Sequence, residues 1–434
     1  MNYNEAVSYL YQLGHETLAM KLGLESVRRL ASEAGDPQNR FPAVHIAGTN
    51  GKGSSAAMTA AIADAAGLRV GLYTSPHLVE ITERIRIGGE DISAEDFARL
   101  AGDVRDTSER LVTAGDLPAL PTFFEQVTVI GFLFFAEKKV DLAVLEVGLG
   151  GRLDATNICR PVVTAITPVG EDHQQYLGSS LASIAAEKAG IIKPSIPVVS
   201  SPQLPEALEV IRARSAEVGA PLVSVEDFSV LTVARGSDGF YSMHCKTERD
   251  DYAVSLTLRG RHQTTNAQTA IHIAEQLHST GFAVEHSSII AGLSHVVWPG
   301  RLEMVRTSAG RDLLLDGAHN PDGARCLRVF LDEQFSGVPI TMMFGAMSDK
   351  PLAEMAQILF PAATTVIATR IANPRTVEPL RIEELALGFN RSALRAESAA
   401  EALAAAERTT PAGGLICAAG SLYLVGELEA ILDR

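Results

Sequence analysis

The stretch "VHIAGTNGKGSSAAM", residues 44–58, passes from a short apolar run through a loop with three glycines and one lysine into an alanine-rich run. Such a loop, placed between a strand and a helix, presents consecutive backbone N–H groups that can bind an anion. The standard P-loop places a hydroxyl residue directly after its lysine, whereas Gly53 separates Lys52 from Ser54 here. A tight turn that happens to contain glycines is the alternative. The strand before, the helix after and the hydroxyl of Ser54 favour a nucleoside triphosphate site.

Apolar strand-like runs alternate with helical patterns around this loop, which predicts parallel strands covered by helices on both faces. The predicted strands are 43–48, 69–75, 141–148, 161–167 and 196–201, with helices at 53–66, 94–113, 122–137 and 180–190. A second α/β series follows a helix at 264–279, with strands at 312–317, 338–344, 364–369 and 413–418 and helices at 322–334, 351–359, 396–408 and 421–432. The chain of 434 residues also exceeds what one core usually holds. We therefore predict an α/β fold with two domains, 1–297 and 298–434.

The segment 222–260 has a different residue pattern from the segments on either side of it. It contains turn signals and short alternating runs, which predict antiparallel strands at the edge of a sheet.

Composition narrows the class of protein. With 46% hydrophobic and 21% charged residues, the chain is typical of a soluble globular enzyme. Its formal net charge of −15 argues against a nucleic-acid partner, because binding phosphates needs a basic face. The four cysteines lie far apart, which favours a reducing compartment. The N-terminus lacks a basic region typical of signal peptides, and the most apolar helical run, 127–136, is about half the length needed to cross a bilayer. We expect a cytoplasmic protein that binds neither nucleic acid nor membrane.

Polar side chains follow several predicted strands at their carboxyl ends, where open α/β sheets bind ligands. They are Ser75 in "YTSPHL", Glu146 in "LEVGLGGRLDATN", His173 in "ITPVGEDHQQYLG" and, further on, Lys188 in "EKAGIIKP". Hydroxyl and carboxylate oxygens are ordinary magnesium ligands, while a histidine is an unusual one. Taken singly, each has a structural alternative: a turn hydroxyl, a surface carboxylate, a buried histidine and a surface lysine. Their joint placement beside a phosphate loop favours a magnesium site.

Seven motifs extend this interpretation to nearly the whole chain. "GTNGKGS", "YTSPHL", "LEVGLGGRLDATN", "DH…LG…EKAGIIKP", "HQTTNAQTA", "PGRLE" and "LDGAHNP" occur in this order. The chain thereby resembles folylpolyglutamate synthases and bifunctional dihydrofolate synthases of the Mur ligase superfamily over about residues 1–425. The resemblance implies a P-loop ATPase domain with a parallel sheet, followed by a smaller Rossmann-like α/β domain. "GKGS" is then similar to this family's variant of the phosphate loop.

The activity that the resemblance implies is an ATP-dependent ligation. ATP would phosphorylate a substrate carboxylate, and the α-amine of L-glutamate would attack the acyl phosphate. The implied acceptors are dihydropteroate and folates, and we expect both activities on one chain, which the resemblance suggests is a monomer.

The resemblance also implies roles for individual residues. ATP would be held by Gly48, Thr49, Asn50, Gly51, Lys52, Gly53, Ser54, Asn266, Arg301 and Asp316. Two magnesium ions would be held by Ser75, Glu146 and His173, and the catalytic residues would be Lys52, His173 and Lys188, the last as a carbamate formed with carbon dioxide. The acceptor would be held by Thr122, Phe123, Phe124, Glu125, Leu153, Asp154 and Ala155, and His319 would lie near the incoming glutamate. Phe123 and Phe124 could equally be core residues of a helix.

Other functions remain open from the sequence. A synthase with only one of the two activities would carry the same motifs. A Mur-type ligase acting on a cell-wall precursor usually has an extra domain before its phosphate loop, which here begins about 45 residues into the chain. A P-loop kinase or hydrolase would not explain the second α/β series with "DGAHNP", and a non-catalytic nucleotide-binding protein would not need the magnesium-site residues.

Overall fold

The computed structural model describes residues 1–14, 23–172 and 174–432, without the side chains of Gln175 and Ser237. Contacts divide the chain into two compact units. The first unit comprises Met1–Leu231, Cys245–Tyr252 and Thr265–His295, and the second comprises Thr232–His244, Ala253–Thr264 and Val296–Arg434. Two short segments that precede residue 297 therefore belong to the second unit. The division into domains 1–297 and 298–434 stays a prediction about which parts fold independently.

The first unit is built on a sheet of eight strands, counted over the described residues. These are β1 (Ala43–Ala47), β2 (Val70–Tyr73), β3 (Ile85–Ile87), β4 (Glu90–Asp91), β5 (Leu142–Glu146), β6 (Pro161–Ile166), β7 (Val198–Ser200) and β8 (Leu222–Ser224). Their order is β4-β3-β2-β5-β1-β6-β7-β8. Strand β1 is central and parallel to both neighbours. Every residue of β1 and β5 is buried, as expected where helices cover both faces of a parallel sheet.

Helices of the first unit cover this sheet. They are α1 (Tyr3–Gln12), α2 (Glu25–Glu33), α3 (Lys52–Ala65), α4 (Ala94–Thr113), α5 (Phe123–Lys138), α6 (Gln174–Leu177), α7 (Leu181–Ala189), α8 (Pro205–Val218) and α9 (Val225–Phe228), with short 3₁₀ helices at Pro37–Asn39, Ile81–Arg84 and Ala155–Ile158. An aromatic cluster forms part of the core, where the ring of Phe41 lies 6.0 Å from that of Phe132 and 5.9 Å from that of Phe135. Burying one such side chain contributes about 1.5–3 kcal/mol to stability.

A separate sheet of three strands occupies most of the segment 222–260. It contains β9 (Ser229–Arg235), β10 (Tyr241–Thr247) and β11 (Asp251–Ser255), in the order β11-β10-β9, with a 3₁₀ turn at Ser237–Gly239. Buried and exposed residues alternate along β10. The predicted short strands are therefore present, but they form their own sheet instead of an edge of the large one. Only β8 joins the large sheet, and it runs parallel to β7. Helices α10 (His262–Ser279) and α11 (His286–Leu293) follow.

The second unit contains a sheet of six strands in the described residues. They are β12 (Glu303–Arg306), β13 (Asp312–Leu315), β14 (Ile340–Phe344), β15 (Thr365–Thr369), β16 (Ser392–Ala396) and β17 (Leu415–Ala419). The order is β12-β13-β17-β14-β15-β16, with β12 antiparallel and the rest parallel. The helices are α12 (Pro321–Gln334), α13 (Leu352–Leu359), α14 (Pro379–Gly388), α15 (Ala399–Thr409) and α16 (Leu422–Ile431), with a 3₁₀ turn at Phe360–Ala362.

The predicted α/β fold is confirmed, with every predicted strand of both series present. In the described part of the chain, no helix has the length and apolar character needed to cross a bilayer.

Candidate active site

The loop between β1 and α3 is bound by the segment that follows β6. The N–H groups of Thr49 and Asn50 both donate to the carbonyl of Pro168, at 3.0 and 3.3 Å. Gly48 has a φ of +149°, and a Cβ at this position would lie 1.8 Å from Oγ1 of Thr167, so only glycine fits. Two of the N–H groups expected to face a phosphate are thus engaged within the protein. First-turn N–H groups of a helix point away from its body, so the start of α3 is the better placed anion site.

Lys52 is the first residue of α3 and is partly exposed. Its Nζ donates to the carbonyl of Thr49 at 3.2 Å, which keeps the ammonium over the loop. Ser54 is only 3% exposed. Asn266 of α10 lies against the same loop, with its Oδ1 2.3 Å from the position that a Cβ on Gly51 would occupy. The fold therefore brings Asn266, predicted from a distant motif, onto the phosphate loop.

Lys188 lies near the end of α7 and is buried, with 4% of its surface exposed. Its Nζ donates to the carbonyl of Gly48 at 2.8 Å. Burial and the nearby positive charge of Lys52 lower the pKa of Lys188 to about 7, against the opposing charges of Asp172 and Asp154. The alternative of a surface lysine is therefore wrong. Near neutral pH much of this amine is uncharged, and only an uncharged amine is a nucleophile.

Ser75 lies just after β2 and Glu146 is the last residue of β5. Because these two strands pair in parallel, both residues lie at the same edge of the sheet. The backbone N–H of Ser75 donates to Oε2 of Glu146 at 3.2 Å, and Glu146 is 5% exposed. A buried carboxylate beside a hydroxyl residue is an oxygen donor set that suits a hard cation such as Mg²⁺. His173 lies outside the described residues. Within the described ranges, no three His, Cys, Asp or Glu side chains form a metal-binding group, so the candidate centre depends on the Ser75 hydroxyl and on residues beyond that set.

The glycine turn after β5 is packed tightly on both sides. A Cβ on Gly148 would lie 2.5 Å from the ring of Phe124. A Cβ on Gly151 would lie 2.9 Å from the carbonyl oxygen of Glu187 and 3.0 Å from that of Lys188. The turn therefore contacts Phe124 on one side and the end of the Lys188 helix on the other.

Thr122 and Glu125 form a capping box at the start of α5. The N–H and the hydroxyl of Thr122 donate to Oε2 of Glu125 at 2.8 and 2.9 Å. These bonds satisfy groups that a helix N-terminus would otherwise leave to solvent. Both side chains thus stabilise the helix end, and their contact with an acceptor stays a prediction.

Phe123 and Phe124 have different surroundings. Phe123 is 2% exposed, stacks on Tyr11 at 5.6 Å between ring centroids, and lies 5.4 Å from the guanidinium of Arg84. Phe124 is partly exposed and meets the ring of Tyr73 edge-on at 6.3 Å. Phe123 is a core residue, while Phe124 retains surface that a planar ligand could cover.

Asp154 organises the loop that follows the glycine turn. Its carboxylate accepts hydrogen bonds from the N–H of Leu149 and of Thr156, each at 2.9 Å, and from the Thr156 hydroxyl. Burial raises the pKa of Asp154, while these hydrogen bonds oppose the rise. The flanking Leu153 is partly exposed and Ala155 is 5% exposed. The conformation of 153–155 therefore depends on one buried carboxylate.

In the second unit, Asp316 fixes the turn after β13. Its carboxylate accepts from the N–H of Leu302 and of Ala318, each at 3.0 Å. Burial raises the pKa of Asp316, and the charge of Arg301 opposes the rise. A Cβ on Gly317 would lie 2.2 Å from Nη1 of Arg301. Glycine at this position therefore lets the guanidinium of Arg301 lie directly on the turn.

Three further side chains of the second unit follow parallel strands at their carboxyl ends. Nδ1 of His319 lies 2.8 Å from the carbonyl of Gly317. Lys350, whose side chain is 7% exposed, lies 4.0 Å from Asp349, and Nη1 of Arg375 lies 3.2 Å from the same carboxylate. Sequence reasoning missed Lys350 and Arg375. Their position in the loops that follow β14 and β15, in "SDK" and "NPR", is the feature of the sequence that could have indicated them.

Comparison with known proteins accounts for both units. Residues 46–274 match the Mur ligase middle domain, and residues 300–422 match the Mur ligase glutamate ligase domain. A dihydrofolate synthase/folylpolyglutamate synthase of Bacillus subtilis is 34% identical over 430 residues, covering 98% of each chain. A folylpolyglutamate synthase of Lacticaseibacillus casei is 36% identical over 439 residues, covering 100% of this chain and 99% of the relative.

Solved structures agree over the full length. Mycobacterium tuberculosis folylpolyglutamate synthase complexed with ADP and AMPPCP aligns with a TM-score of 0.90 at 30% identity and covers 99% of each chain. Escherichia coli FolC in complex with DHPP and ADP aligns with a TM-score of 0.86 at 29% identity, covering 100% of this chain and 98% of the other. The resemblance inferred from the motifs is confirmed: the chain belongs to the folylpolyglutamate synthase/dihydrofolate synthase family of Mur ligases.

Proposed function

We propose that this protein is an ATP-dependent ligase that joins L-glutamate to dihydropteroate, forming dihydrofolate, and to the γ-carboxylate of folates, extending their glutamate tails. The observation that carries the proposal is the grouping of Lys52, Asn266 and the buried Lys188 on one phosphate loop. Relatives named for both activities support the pairing of acceptors.

The chemistry proceeds in two transfers. The γ-phosphoryl group of ATP passes to an oxygen of the acceptor carboxylate, releasing ADP and leaving an acyl phosphate. The neutral α-amine of glutamate then attacks the acyl carbon, the C–O bond to phosphate breaks, and the nitrogen loses a proton as the amide forms. A carboxylate is a poor electrophile until it carries the phosphate, and phosphoryl transfer depends mainly on positioning and charge neutralisation. Lys52 supplies a positive charge to the β- and γ-phosphates from the loop.

Two Mg²⁺ ions belong to the same proposal. Ser75 and Glu146 would hold one, and Glu146 with His173 the other; when bound, the ions neutralise charge on the phosphates. The proposal is supported by the buried Glu146 carboxylate beside Ser75.

For Lys188 we propose a carbamate. The neutral amine attacks carbon dioxide, an N–C bond forms, and the nitrogen loses a proton, leaving one negative charge on the new group. Support comes from burial and from a pKa lowered to about 7 by that burial and by Lys52. The negative group would lie beside the proposed cations, which favour it over an ammonium.

The second unit would contribute to both nucleotide and glutamate. Arg301 and Asp316 stay the predicted nucleotide contacts, since an arginine can bind phosphate through two parallel hydrogen bonds. For the incoming glutamate, which carries two carboxylates, we infer contacts from His319, Lys350 and Arg375. Lys350 and Arg375 both lie near the carboxylate of Asp349, and two cationic side chains at one place suit an anionic ligand.

The acceptor would lie against Phe124 and the loop 153–155. The partly exposed ring of Phe124 suits the face of a pterin. We also infer a cytosolic monomer that acts on small molecules only, in line with three buried free cysteines and a net charge of −15.

One assay tests the function directly. The purified protein is incubated with ATP, Mg²⁺, L-glutamate and one of three acceptors: dihydropteroate, tetrahydrofolate or a UDP-muramoyl precursor. ADP release is followed together with the mass of the product. We expect glutamate addition to the first two acceptors and none to the third. Phosphate release without an acceptor, or glutamate addition to the muramoyl precursor, would contradict the proposal.

The assay also separates a second candidate, a synthase with a single activity. The Lacticaseibacillus casei relative is named only as a folylpolyglutamate synthase. Addition to tetrahydrofolate without addition to dihydropteroate would favour that reading.

A further inference from the structure

A chain of three buried polar side chains runs from the central strand to the acceptor loop. His45 lies in the middle of β1 and is 0% exposed. Its Nε2 lies 2.8 Å from Oγ1 of Thr156, which is also 0% exposed. The hydroxyl of Thr156 donates in turn to Oδ1 of Asp154.

The hydrogen bonds fix the proton arrangement along this chain. Because the Thr156 hydroxyl gives its proton to Asp154, its oxygen can only accept from His45. The imidazole must therefore carry its proton on Nε2. Among the described residues, Nδ1 of His45 is buried without a hydrogen-bond partner. Burial and the charge of Lys193 lower the pKa of His45 to about 3, so the ring is neutral under working conditions.

Packing alone does not explain a histidine at this position. An apolar side chain of similar size would fill the same space in an otherwise apolar strand, without burying an unpartnered nitrogen. A hydrogen-bond donor at position 45, unlike an apolar side chain, orients the Thr156 hydroxyl. That hydroxyl turns toward Asp154, whose carboxylate also accepts from Leu149 in the glycine turn.

The hydrogen-bonded series from His45 to Asp154 links two regions of the first unit that we propose bind substrates, the phosphate loop and the loop 153–155. Strand β1 leads directly into Gly48 and the phosphate loop. Asp154 caps the 3₁₀ helix Ala155–Ile158 and so sets the backbone of 153–155. A donor in β1 is therefore hydrogen-bonded, through one hydroxyl, to the loop assigned above to the acceptor.

We propose that His45 is a positioning residue for the acceptor, which holds the loop 153–155 in its binding conformation through Thr156 and Asp154. The inference rests on the proposed function, because it needs that loop to contact dihydropteroate or folate. His45 itself touches no substrate.

Paired variants of the full-length protein test the role. His45→Leu and Thr156→Val remove the donor and the hydroxyl at nearly constant volume, while His45→Gln and Thr156→Ser retain them. We expect the first pair to raise the KM for dihydropteroate about tenfold, the effect of losing one buried hydrogen bond. In these variants the KM for ATP and kcat should stay within about twofold of the parent values. His45→Gln and Thr156→Ser should keep the KM for dihydropteroate within about threefold of the parent value.

A spectroscopic measurement keeps the test open if the apolar variants fail to fold. Spectra of the parent protein labelled with ¹⁵N-histidine should include the signals of a neutral ring with its proton on Nε2 that are missing in His45→Gln, which assigns them to His45. In Thr156→Ser these signals should persist. A proton on Nδ1 of His45 in the parent protein would overturn the inference.

The kinetic outcomes separate failure of the inference from failure of the function. If Asp154→Asn raises the KM for dihydropteroate but His45→Leu and Thr156→Val do not, the inference alone is wrong. If Asp154→Asn leaves that KM unchanged, the acceptor loop itself was assigned wrongly, and the inference falls with it. A general loss of kcat in all variants, without change in KM, would show a merely structural role.

Discussion

At the scale of single residues, Lys52 offers the most direct test of the phosphate loop. It is partly exposed and its Nζ donates to a backbone carbonyl of its own loop, that of Thr49, so removing it should leave the fold intact. We expect Lys52→Ala to lower kcat by roughly 10²–10³-fold, as for the loss of one charge-stabilising donor. Steady-state kinetics and thermal denaturation check this, with Lys246→Ala, on an exposed position of β10, as the control. Near-normal turnover in Lys52→Ala would remove the loop from the mechanism.

Lys188 gives a prediction about stability and pH. The pKa of Lys188 is lowered to about 7 in the folded state from an ordinary value of 10.5. Between these values the unfolded chain binds the proton and the folded protein does not, so raising the pH stabilises the folded state. Compared with Lys188→Met, the parent should gain about 2 kcal/mol of unfolding free energy between pH 7 and pH 9.

Urea denaturation at both pH values, in buffers free of carbon dioxide, Mg²⁺ and nucleotide, measures this difference. Lys188→Met retains all the other titrating groups, so their effects cancel in the difference between the two proteins. A constant difference between the two proteins would mean that the amine of Lys188 titrates as in water.

Residue chemistry of this kind could be predicted only where a motif surrounds it. Lys188 was assigned through "EKAGIIKP", and its burial then followed from the structure. His45 carries no such signal, since a lone histidine in an apolar strand looks like core. Lys350 and Arg375 could not be predicted in this way, because the segments around them belong to none of the seven motifs.

At the scale of elements, the glycine turn after β5 packs directly against the end of α7, the helix that contains Lys188. A methyl group on Gly151 would lie 2.9–3.0 Å from two carbonyl oxygens of α7, which forces the helix end to move. We expect Gly151→Ala to destabilise the protein by about 1–3 kcal/mol, as for overpacking in a core, and to lower activity through displacement of Lys188. Denaturation and kinetics measure both effects.

Gly388→Ala is the matched control for this change. It ends α14, and no atom lies within 4 Å of a Cβ placed there. Equal behaviour of the two variants would show that the contact at Gly151 carries no strain.

Strands and helices were predicted best where their sequence is uniformly apolar or regularly amphipathic. All five residues of β1, β5, β14 and β17 are buried, and each was found. Strand β16 was missed because three of its five residues are exposed at the edge of the sheet. The strands β9, β10 and β11 were recognised from alternation, yet alternation does not reveal which sheet a strand joins.

At the scale of the whole molecule, the two short segments assigned to the second unit test the domain boundary. A Cβ on Gly239 would lie 2.3 Å from the ring of Phe330, and Tyr241 donates a hydrogen bond to Glu333. A fragment of residues 298–434 lacks these contacts and would expose Phe330, which is 2% exposed in the full chain.

We therefore expect the fragment 298–434 to bind a hydrophobic dye and to unfold at a low midpoint. A peptide of residues 232–264 should raise that midpoint, and a scrambled peptide of the same composition should not. If the fragment is equally stable with and without the peptide, the boundary predicted from the sequence is the correct one. The first of these segments could not be placed from the sequence, because Glu333 on α12, the partner of Tyr241, lies 92 residues further along the chain.

The close contacts of the glycines around α7 also restrict how this sequence can drift over evolutionary time. Gly148 and Gly151 have no room for a β-carbon, and a β-carbon on Gly190 would lie 2.3 Å from that of Arg152. Most single-nucleotide changes in a glycine codon introduce a side chain, so most such mutations at these codons should be purged by selection. Surface glycines such as Gly388 face open space and can vary freely. Sequence change at this site is therefore limited by the glycines that must lack a side chain as well as by the residues that take part in the chemistry.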